Sequence, residues 1–495
     1  MTYLDGPENV LTDKAPFPLP ASAPDRKQRL KIPPQKLPKQ DPRQRAHNWA
    51  EVSLPLDEEV ARLEATRCIQ CPAAPCIKAC PLHNDIPGAL ALAEAGDFVG
   101  AANKFRETSL MPEMCGRLCP QELLCEGSCV VGKKAIPVAI GRLEAFVTDY
   151  QRQREGLPKP AVPSPSGQRV AVVGSGPAGL VVAEELAKRG HSVVVYESWP
   201  LPGGLLRYGI PRFKMSKAIV DETIAYLEKL GIRFVCNTTI GDNITVDDLF
   251  AAGFEAVFLG HGAGQPVQMG ILDENLKGVY QATDFLVRCN LPPEQLPPSM
   301  REPIDVGKRV VVVGGGDTAM DCLRTAIRMG APNVVCLYRR SEAEMPGNRK
   351  ERRHAEEEGV GLIFLTAPVR FLGDDNGHIK AVRCQRMELG EPDESGRRRP
   401  VPVIGSEFEI EVDTVVLALG YRADKLLITT TPDLEADEWG LLTVDSDTGR
   451  TSRPGVFAGG DNVRGPDLVV DAVVDAKRAA AAIDEYLRRK RLGET

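Results

Sequence analysis

Eight of the thirteen cysteines lie between positions 68 and 129, spaced Cys68-x2-Cys71-x4-Cys76-x3-Cys80 and then Cys115-x3-Cys119-x5-Cys125-x3-Cys129. Packing does not explain such density. Soft thiolates at short spacing are ligands for tetrahedral zinc or for iron–sulfur clusters, and spacing alone does not separate the two. Disulfides are the third use of cysteine, but they belong to secreted chains, and Met1-Thr2-Tyr3-Leu4-Asp5 does not begin a charged-then-apolar leader. A cytoplasmic location is expected. Cys236, Cys289, Cys322, Cys336 and Cys384 stand singly and read as core residues.

Two glycine-rich turns carry a second chemistry. After the apolar run Arg169 to Val173 comes Gly174-Ser175-Gly176-Pro177-Ala178-Gly179, and Glu197 ends the next apolar run about 20 residues on. Gly174 permits the tight turn, Gly176 lets a pyrophosphate approach the backbone, and Gly179 lets helix and strand pack closely. The helix N-terminus stabilises phosphate charge, and Glu197 can accept ribose hydroxyls. The second turn, Gly314-Gly315-Gly316-Asp317-Thr318-Ala319, follows Arg309 to Val313, but its next strand ends Leu337-Tyr338-Arg339-Arg340. Two guanidinium groups there favour a 2′-phosphate, hence NADP(H). One acidic and one basic site predict FAD and NADPH, with hydride transfer between them. A flavin accepts electrons in pairs and releases them singly, which tips the cysteine stretch toward [4Fe–4S] clusters.

The elements that must hold these groups follow from length and pattern. At roughly 150 residues per domain, 495 residues predict about three folded units. Residues 1–56, with Lys31-Ile32-Pro33-Pro34-Gln35-Lys36-Leu37-Pro38, read as an extended proline-rich arm that packs on something else. Residues 57–157 read as a helical cysteine-bearing domain, with helices over 86–95, 97–107 and 138–152, closed by a Pro/Ser/Gly linker to 167. Beyond it, apolar strands alternate with helices at 169–173, 193–196, 256–259, 309–313, 334–337 and 414–419, which indicates parallel α/β sheets. The expected fold is α/β: two Rossmann-like nucleotide-binding domains, one inserted in the other, preceded by the α-helical domain. The FAD domain is assigned 167–300 and 425–495, and the NADPH domain 301–424. A net charge of −7 gives no global field for nucleic acid, and no window reaches the length of a membrane span. Neither partner is expected.

Near the C-terminus, Pro454-Gly455-Val456-Phe457-Ala458-Gly459-Gly460-Asp461 followed by a helix over 468–487 resembles the second flavin motif of the two-dinucleotide flavoproteins. That resemblance gives Asp461 the ribityl chain and aims the helix N-terminus near Leu468 at the flavin pyrimidine ring, where it favours negative charge on reduction. From about Lys31 onward the chain resembles the small (beta) subunit family of NADPH-dependent glutamate synthase. The carrying stretches are Cys115-Gly116-Arg117-Leu118-Cys119-Pro120-Gln121-Glu122, Pro202-Gly203-Gly204-Leu205-Leu206-Arg207-Tyr208-Gly209-Ile210-Pro211-Arg212-Phe213-Lys214 and Tyr338-Arg339-Arg340-Ser341. It is also similar to the N-terminal half of dihydropyrimidine dehydrogenase.

The resemblance implies two interleaved [4Fe–4S] clusters, one on Cys68, Cys71, Cys76 and Cys129, the other on Cys80, Cys119, Cys125 and Glu144. Cys115 is then unliganded. It puts Gly204, Leu205, Arg207 and Lys214 beside the flavin; hydride transfer itself requires no acid/base dyad, so no catalytic side chain is named. It further implies a partner: a large glutamate synthase subunit, or another electron-accepting flavoprotein. Two alternatives stand beside it, the large subunit of an electron-bifurcating NADH-dependent ferredoxin:NADP oxidoreductase, and a zinc-binding docking module on a flavoprotein scaffold. His261, in Leu259-Gly260-His261-Gly262-Ala263-Gly264, and Asp471 depart from the family pattern near the expected flavin and take no role from it.

Overall fold

The computed structural model describes residues 24–159, 161 and 163–494. The helical unit comes first, through helices Glu58–Thr66, Pro75–Ala79, Ile86–Ala95, Phe98–Arg106, Pro112–Leu118 and Ile140–Glu155. Asp85 and Asp97 cap the third and fourth of these by accepting from the Gly88 and Gly100 amides, as short polar side chains do at orphaned helix donors. Ala61, Leu90, Phe98, Phe105, Leu143 and Val147 belong to its core.

Five residues in a row that are buried or nearly so, without alternation, make the runs Arg169–Val173 and Arg309–Val313 fit only the middle of a parallel sheet. β1 (Arg169–Val173), β2 (Ser192–Tyr196), β3 (Arg233–Val235) and β4 (Ala256–Leu259) begin the first sheet. The chain leaves it through β5 (Gln265–Pro266) and builds a second with β6 (Val279–Gln281), β7 (Arg309–Val313), β8 (Asn333–Leu337) and β9 (Gly361–Ile363). An antiparallel excursion, β10 (Thr366–Gly373), β11 (Ile379–Pro392), β12 (Arg398–Pro402) and β13 (Phe408–Glu411), precedes β14 (Thr414–Leu417). β15 (Tyr421–Arg422) pairs back with β5, and β16 (Val456–Ala458) closes the first sheet. The strand orders are β16-β4-β1-β2-β3 and β6-β14-β7-β8-β9. One parallel unit is thus inserted in the other, as expected.

Two expectations change. The inserted unit begins before residue 301: β6 already pairs with β14, and Phe285 and Leu286 of helix Ala282–Asn290 lie in the same core as Met320 and Cys322. The proline-rich stretch just before residue 301 forms two short 3-10 turns, Pro293–Gln295 and Pro298–Met300, inside that unit. The antiparallel sheet was not foreseen at all.

The arm's described part, from residue 24, is not uniformly extended. It contains the short helices Arg26–Arg29 and Pro42–Arg45 and packs on three units in turn. Arg29 pairs with Glu94 at 2.7 Å, Arg45 with Glu358 at 2.8 Å, and the Val52 amide donates to the Phe213 carbonyl at 2.9 Å. Glu358 also receives Arg324 at 2.9 Å and Arg328 at 2.6 Å. Burial alone would raise its carboxyl, but these guanidinium groups hold it below the usual range. Residues 1–23 of the expected arm, and residues 160 and 162 of the expected linker, lie outside the described residues. No helix among the described residues is long and apolar enough to cross a membrane.

Candidate cofactor and metal sites

The cysteines separate into two groups. Cys68, Cys71, Cys76 and Cys129 line one pocket whose other walls are apolar, among them Ile86, Leu90 and Val131. Cys68 follows helix Glu58–Thr66, Cys76 sits inside Pro75–Ala79, and Cys129 caps the short turn Val130–Lys133. Burial, reinforced by neighbouring thiols, pushes Cys68 up to about 11 and Cys76 to about 12. Such thiols keep their protons unless a positive centre stands among them, and a metal cluster is such a centre.

The second group comes from three elements. Cys80 ends helix Pro75–Ala79, Cys119 ends Pro112–Leu118, Cys125 lies in the loop beyond, and the Glu144 carboxylate acts on all three. Glu144 is 7% exposed, and its Oε1 has no hydrogen-bond partner. Burial pushes its carboxyl well above the usual range. An exposed helix acid would show neither feature; the Cys115 thiol also acts on Glu144, Cys80 and Cys119, and an orphaned carboxylate oxygen among these thiols fits a ligand. Gly116 permits this approach, because a Cβ there would come within 2.6 Å of the Ala145 amide nitrogen. Cys115 is hydrogen-bonded to Cys119. The helix between them and Met111 also docks on the first nucleotide unit, where Met111 and Met114 are buried in its core.

In the first glycine turn, a Cβ at Gly179 would collide with the Gly174 carbonyl, whereas one at Gly176 would meet nothing within 4 Å. The third position is closed by its own chain and the second is open to a ligand. Pro177 and Ala178 start helix Pro177–Ala187 directly behind it. Glu197, 6% exposed, accepts from the Ser175 amide at 3.1 Å and the Trp199 amide at 2.9 Å, and from the Ser175 hydroxyl. Ser175 Oγ in turn accepts from the Gly203 amide at 2.8 Å, drawing the loop before Gly204 and Leu205 onto the turn.

Arg207 stays in that loop, pairing with Asp221 at 2.7 Å. Lys214 does not: its Nζ lies 3.0 Å from Asp321 in the inserted unit, whose charge outweighs burial and holds the lysine proton. Gly460 closes on the turn from the other side, a Cβ there meeting Ala178 Cβ at 3.1 Å. Asp461 therefore stands beside the turn, pushed up to about 7 by burial. The buried Asp475 fixes this end by accepting from the Gly460 amide at 3.1 Å and from Arg464 and Arg478, both at 2.7 Å. No sequence signal singled it out. Leu468 caps helix Val469–Leu492, and burial raises Asp471 in its first turn. His261, whose Nδ1 is 3.4 Å from Asn462 Nδ2, is driven by burial down to about 4 and is neutral.

The second turn repeats the open position at Gly316, before helix Asp317–Arg328 with Thr318 in its first turn. Asp317 accepts from the Asn348 amide at 2.8 Å, and the Gly315 carbonyl from the Gly347 amide at 3.0 Å. The expected arginine pair divides. Arg339 is exposed, but Arg340 is 6% exposed and committed, donating to Asp393 at 2.6 Å and to the Arg398 carbonyl at 2.8 Å. Arg340 anchors the antiparallel excursion; of the pair, Arg339 is the one without an ion pair or hydrogen bond among the described residues.

Comparison with known proteins agrees with this geometry. The family described as dihydropyrimidine dehydrogenase domain II, 4Fe-4S cluster, matches residues 45–156, and pyridine nucleotide-disulphide oxidoreductase matches 168–476. The chain is 40% identical to the glutamate synthase (NADPH) small chain of Escherichia coli (strain K12), over 91% of this chain and 96% of that one. It is 40% identical to the NADP(+)-dependent formate dehydrogenase subunit beta of Moorella thermoacetica, over 84% of this chain and 60% of that one. FprA from Mycobacterium tuberculosis in complex with NADPH shares the fold, with a TM-score of 0.56 at 23% identity over 66% of this chain and 86% of that one. The chain therefore belongs to the glutamate synthase small-subunit family of pyridine nucleotide oxidoreductases, enzymes of FAD, NADPH and [4Fe–4S] clusters.

Proposed function

We propose that this protein oxidises NADPH and delivers the electrons to a separate large subunit that makes L-glutamate from 2-oxoglutarate and glutamine. The observation that carries this reading is the near end-to-end match to glutamate synthase small chains, with 96% of the Escherichia coli chain covered. When bound, FAD supplies a hydride acceptor and the clusters supply one-electron outlets. The chain's own residues do the positioning. The open Gly176 and the helix behind it receive a diphosphate, Glu197 receives ribose hydroxyls, and Asp461 receives the ribityl chain. Gly316 and Arg339 do the corresponding work for NADPH, with Arg339 facing its 2′-phosphate. Cys68, Cys71, Cys76 and Cys129 hold one cluster, and Cys80, Cys119, Cys125 and Glu144 the other. Docking through Met111 and Met114 favours the second set as the one nearer the flavin. Hydride transfer needs alignment rather than an acid/base pair.

The test is anaerobic purification from the native cells with mass spectrometry of whatever accompanies the chain. A large subunit carrying an amidotransferase domain, and NADPH-dependent glutamate formation on mixing, is the expected result. A second reading has its own support: the matches to the formate dehydrogenase beta subunit and, at 37% identity, to the NADPH-Fe(3+) oxidoreductase subunit beta of Geobacter sulfurreducens. Co-purification of a different oxidoreductase would transfer the assignment to that acceptor and retire the glutamate reading.

A further inference from the structure

Where the arm, the cysteine-bearing unit, the loop at Phe213 and the inserted unit meet, they line a half-open cavity of about 380 Å³. No glycine of either nucleotide turn and no cysteine lines it. This volume suits a small metabolite. Cationic side chains outnumber carboxylates on its wall by six to three. Most of these cations are already neutralised: Arg117 by Glu51 at 2.9 Å and Asp149 at 2.6 Å, Lys214 by Asp321 at 3.0 Å.

Two are not. Among the described residues Arg142 donates only to backbone carbonyls, Leu54 at 2.6 Å and Pro38 at 3.5 Å. The ammonium of Lys350 has no ion pair or hydrogen bond among the described residues; Glu126 and Glu351, which its charge feels, stay beyond ion-pair distance. Arg142 is near enough to destabilise the Lys350 charge further. On the same wall His354 is 2% exposed, and neither ring nitrogen has a hydrogen-bond partner. Glu351 is 3.8 Å from its Nδ1, too long for one. Two half-buried cations without an ion pair among the described residues, beside a buried and unpartnered imidazole, leave donors that an anion between them would take up.

We propose that this cavity is a binding site for a small multivalent oxyanion, a phosphate or polycarboxylate compound, held by Arg142 and Lys350 with a hydrogen bond from His354. Because four segments of the chain build the walls, the bound anion ties the arm and both nucleotide units to the cysteine-bearing unit. The site is independent of the identity of the electron acceptor.

The FAD- and cluster-loaded protein is titrated anaerobically by calorimetry with inorganic phosphate and with citrate. Chloride holds ionic strength constant, and saturating NADP+ fills the Arg339 site. Saturable binding of either probe is expected, weakened tenfold or more in Lys350→Met and in His354→Phe, with flavin and cluster absorbance retained. Phosphate alone binding identifies a phosphate site, citrate alone a polycarboxylate site. No saturable heat from either probe, or an unchanged affinity in Lys350→Met, overturns the proposal. Should the variants lose their cofactors, acylation of Lys350 in the unaltered protein carries the test by mass spectrometry: protection by the same anion supports the site, and equal labelling with and without it overturns it.

Discussion

In the first nucleotide unit the residue following β2 is Glu197, whose carboxylate gathers the Ser175 and Trp199 amides; in the second, the residue following β8 is Tyr338, whose ring lies over Gly315. The positions correspond, since the Gly174 amide donates to the Tyr196 carbonyl at 2.8 Å and the Gly314 amide to the Leu337 carbonyl at 3.1 Å. A Cβ at Gly315 would stand 2.7 Å from the Tyr338 ring. The middle residue of the turn and the residue after the second strand are therefore chosen together. Serine needs an acceptor, and glutamate is there; glycine leaves room, and an aromatic ring takes it. One backbone thus presents an acid in one place and, one residue further along the other strand, a free Arg339.

The largest asymmetry should appear at the third small residue. Gly179→Ala drives a Cβ into the Gly174 carbonyl, and we expect a loss of about 4 kcal/mol or more with failure to retain FAD. The second unit already carries Ala319 at that place, so Ala319→Gly should cost only about 1 kcal/mol. Urea unfolding and flavin content check both. Next, Glu197→Ala strands buried donors of the turn and should cost about 3 kcal/mol, whereas Glu197→Gln, retaining one acceptor oxygen, should cost less than half of that.

Arg339→Ala should reduce the preference for NADPH over NADH about tenfold, or about 1.4 kcal/mol. Arg340→Ala should lower the melting temperature and leave that preference alone; equal loss with both coenzymes in Arg339→Ala would remove the 2′-phosphate role. The smallest effect concerns Asp461, three residues past β16; the strand in the corresponding place of the second sheet, β6, runs directly into helix Ala282–Asn290. Burial raises Asp461 to about 7, against about 3.9 in an unfolded chain. Between those values the folded state binds more protons, so stability falls as pH rises from about 4 to about 7. With FAD washed out, Asp461→Asn should be the more stable protein above pH 7, by about 1 kcal/mol after allowance for solvent screening, and no different below pH 4. Urea midpoints across that range measure it.

The strands at 169–173, 256–259 and 309–313 were legible to the residue because each is an unbroken apolar run buried on both faces. β11 was not: Lys380 and Arg383 are exposed between its buried residues, and a half-solvated ribbon leaves no such run. Missing it also misplaced Arg340, whose partner Asp393 lies in that ribbon. The membership of the two thiol groups could not be read from spacing. Cys80 and Cys76 are four residues apart and face different groups, because Cys76 lies inside helix Pro75–Ala79 and Cys80 beyond its end, in extended backbone. Family resemblance supplied what local pattern could not, and Asp475 had neither.

The closure of the first sheet by β16 has a consequence for the order of synthesis. β4 obtains its outer neighbour, and helix Val469–Leu492 buries Val473, Ala476 and Ile483 against that sheet, only from residues translated after the inserted unit. The inserted unit ends at Arg422, 70 residues before Leu492. At about 5–20 residues per second the ribosome takes roughly 4–14 s to cover that distance. During that interval a finished nucleotide unit hangs from an open one, with an unpaired strand edge exposed to other chains. Slowed translation or premature termination past residue 422 therefore threatens aggregation through β4 while leaving the inserted unit intact.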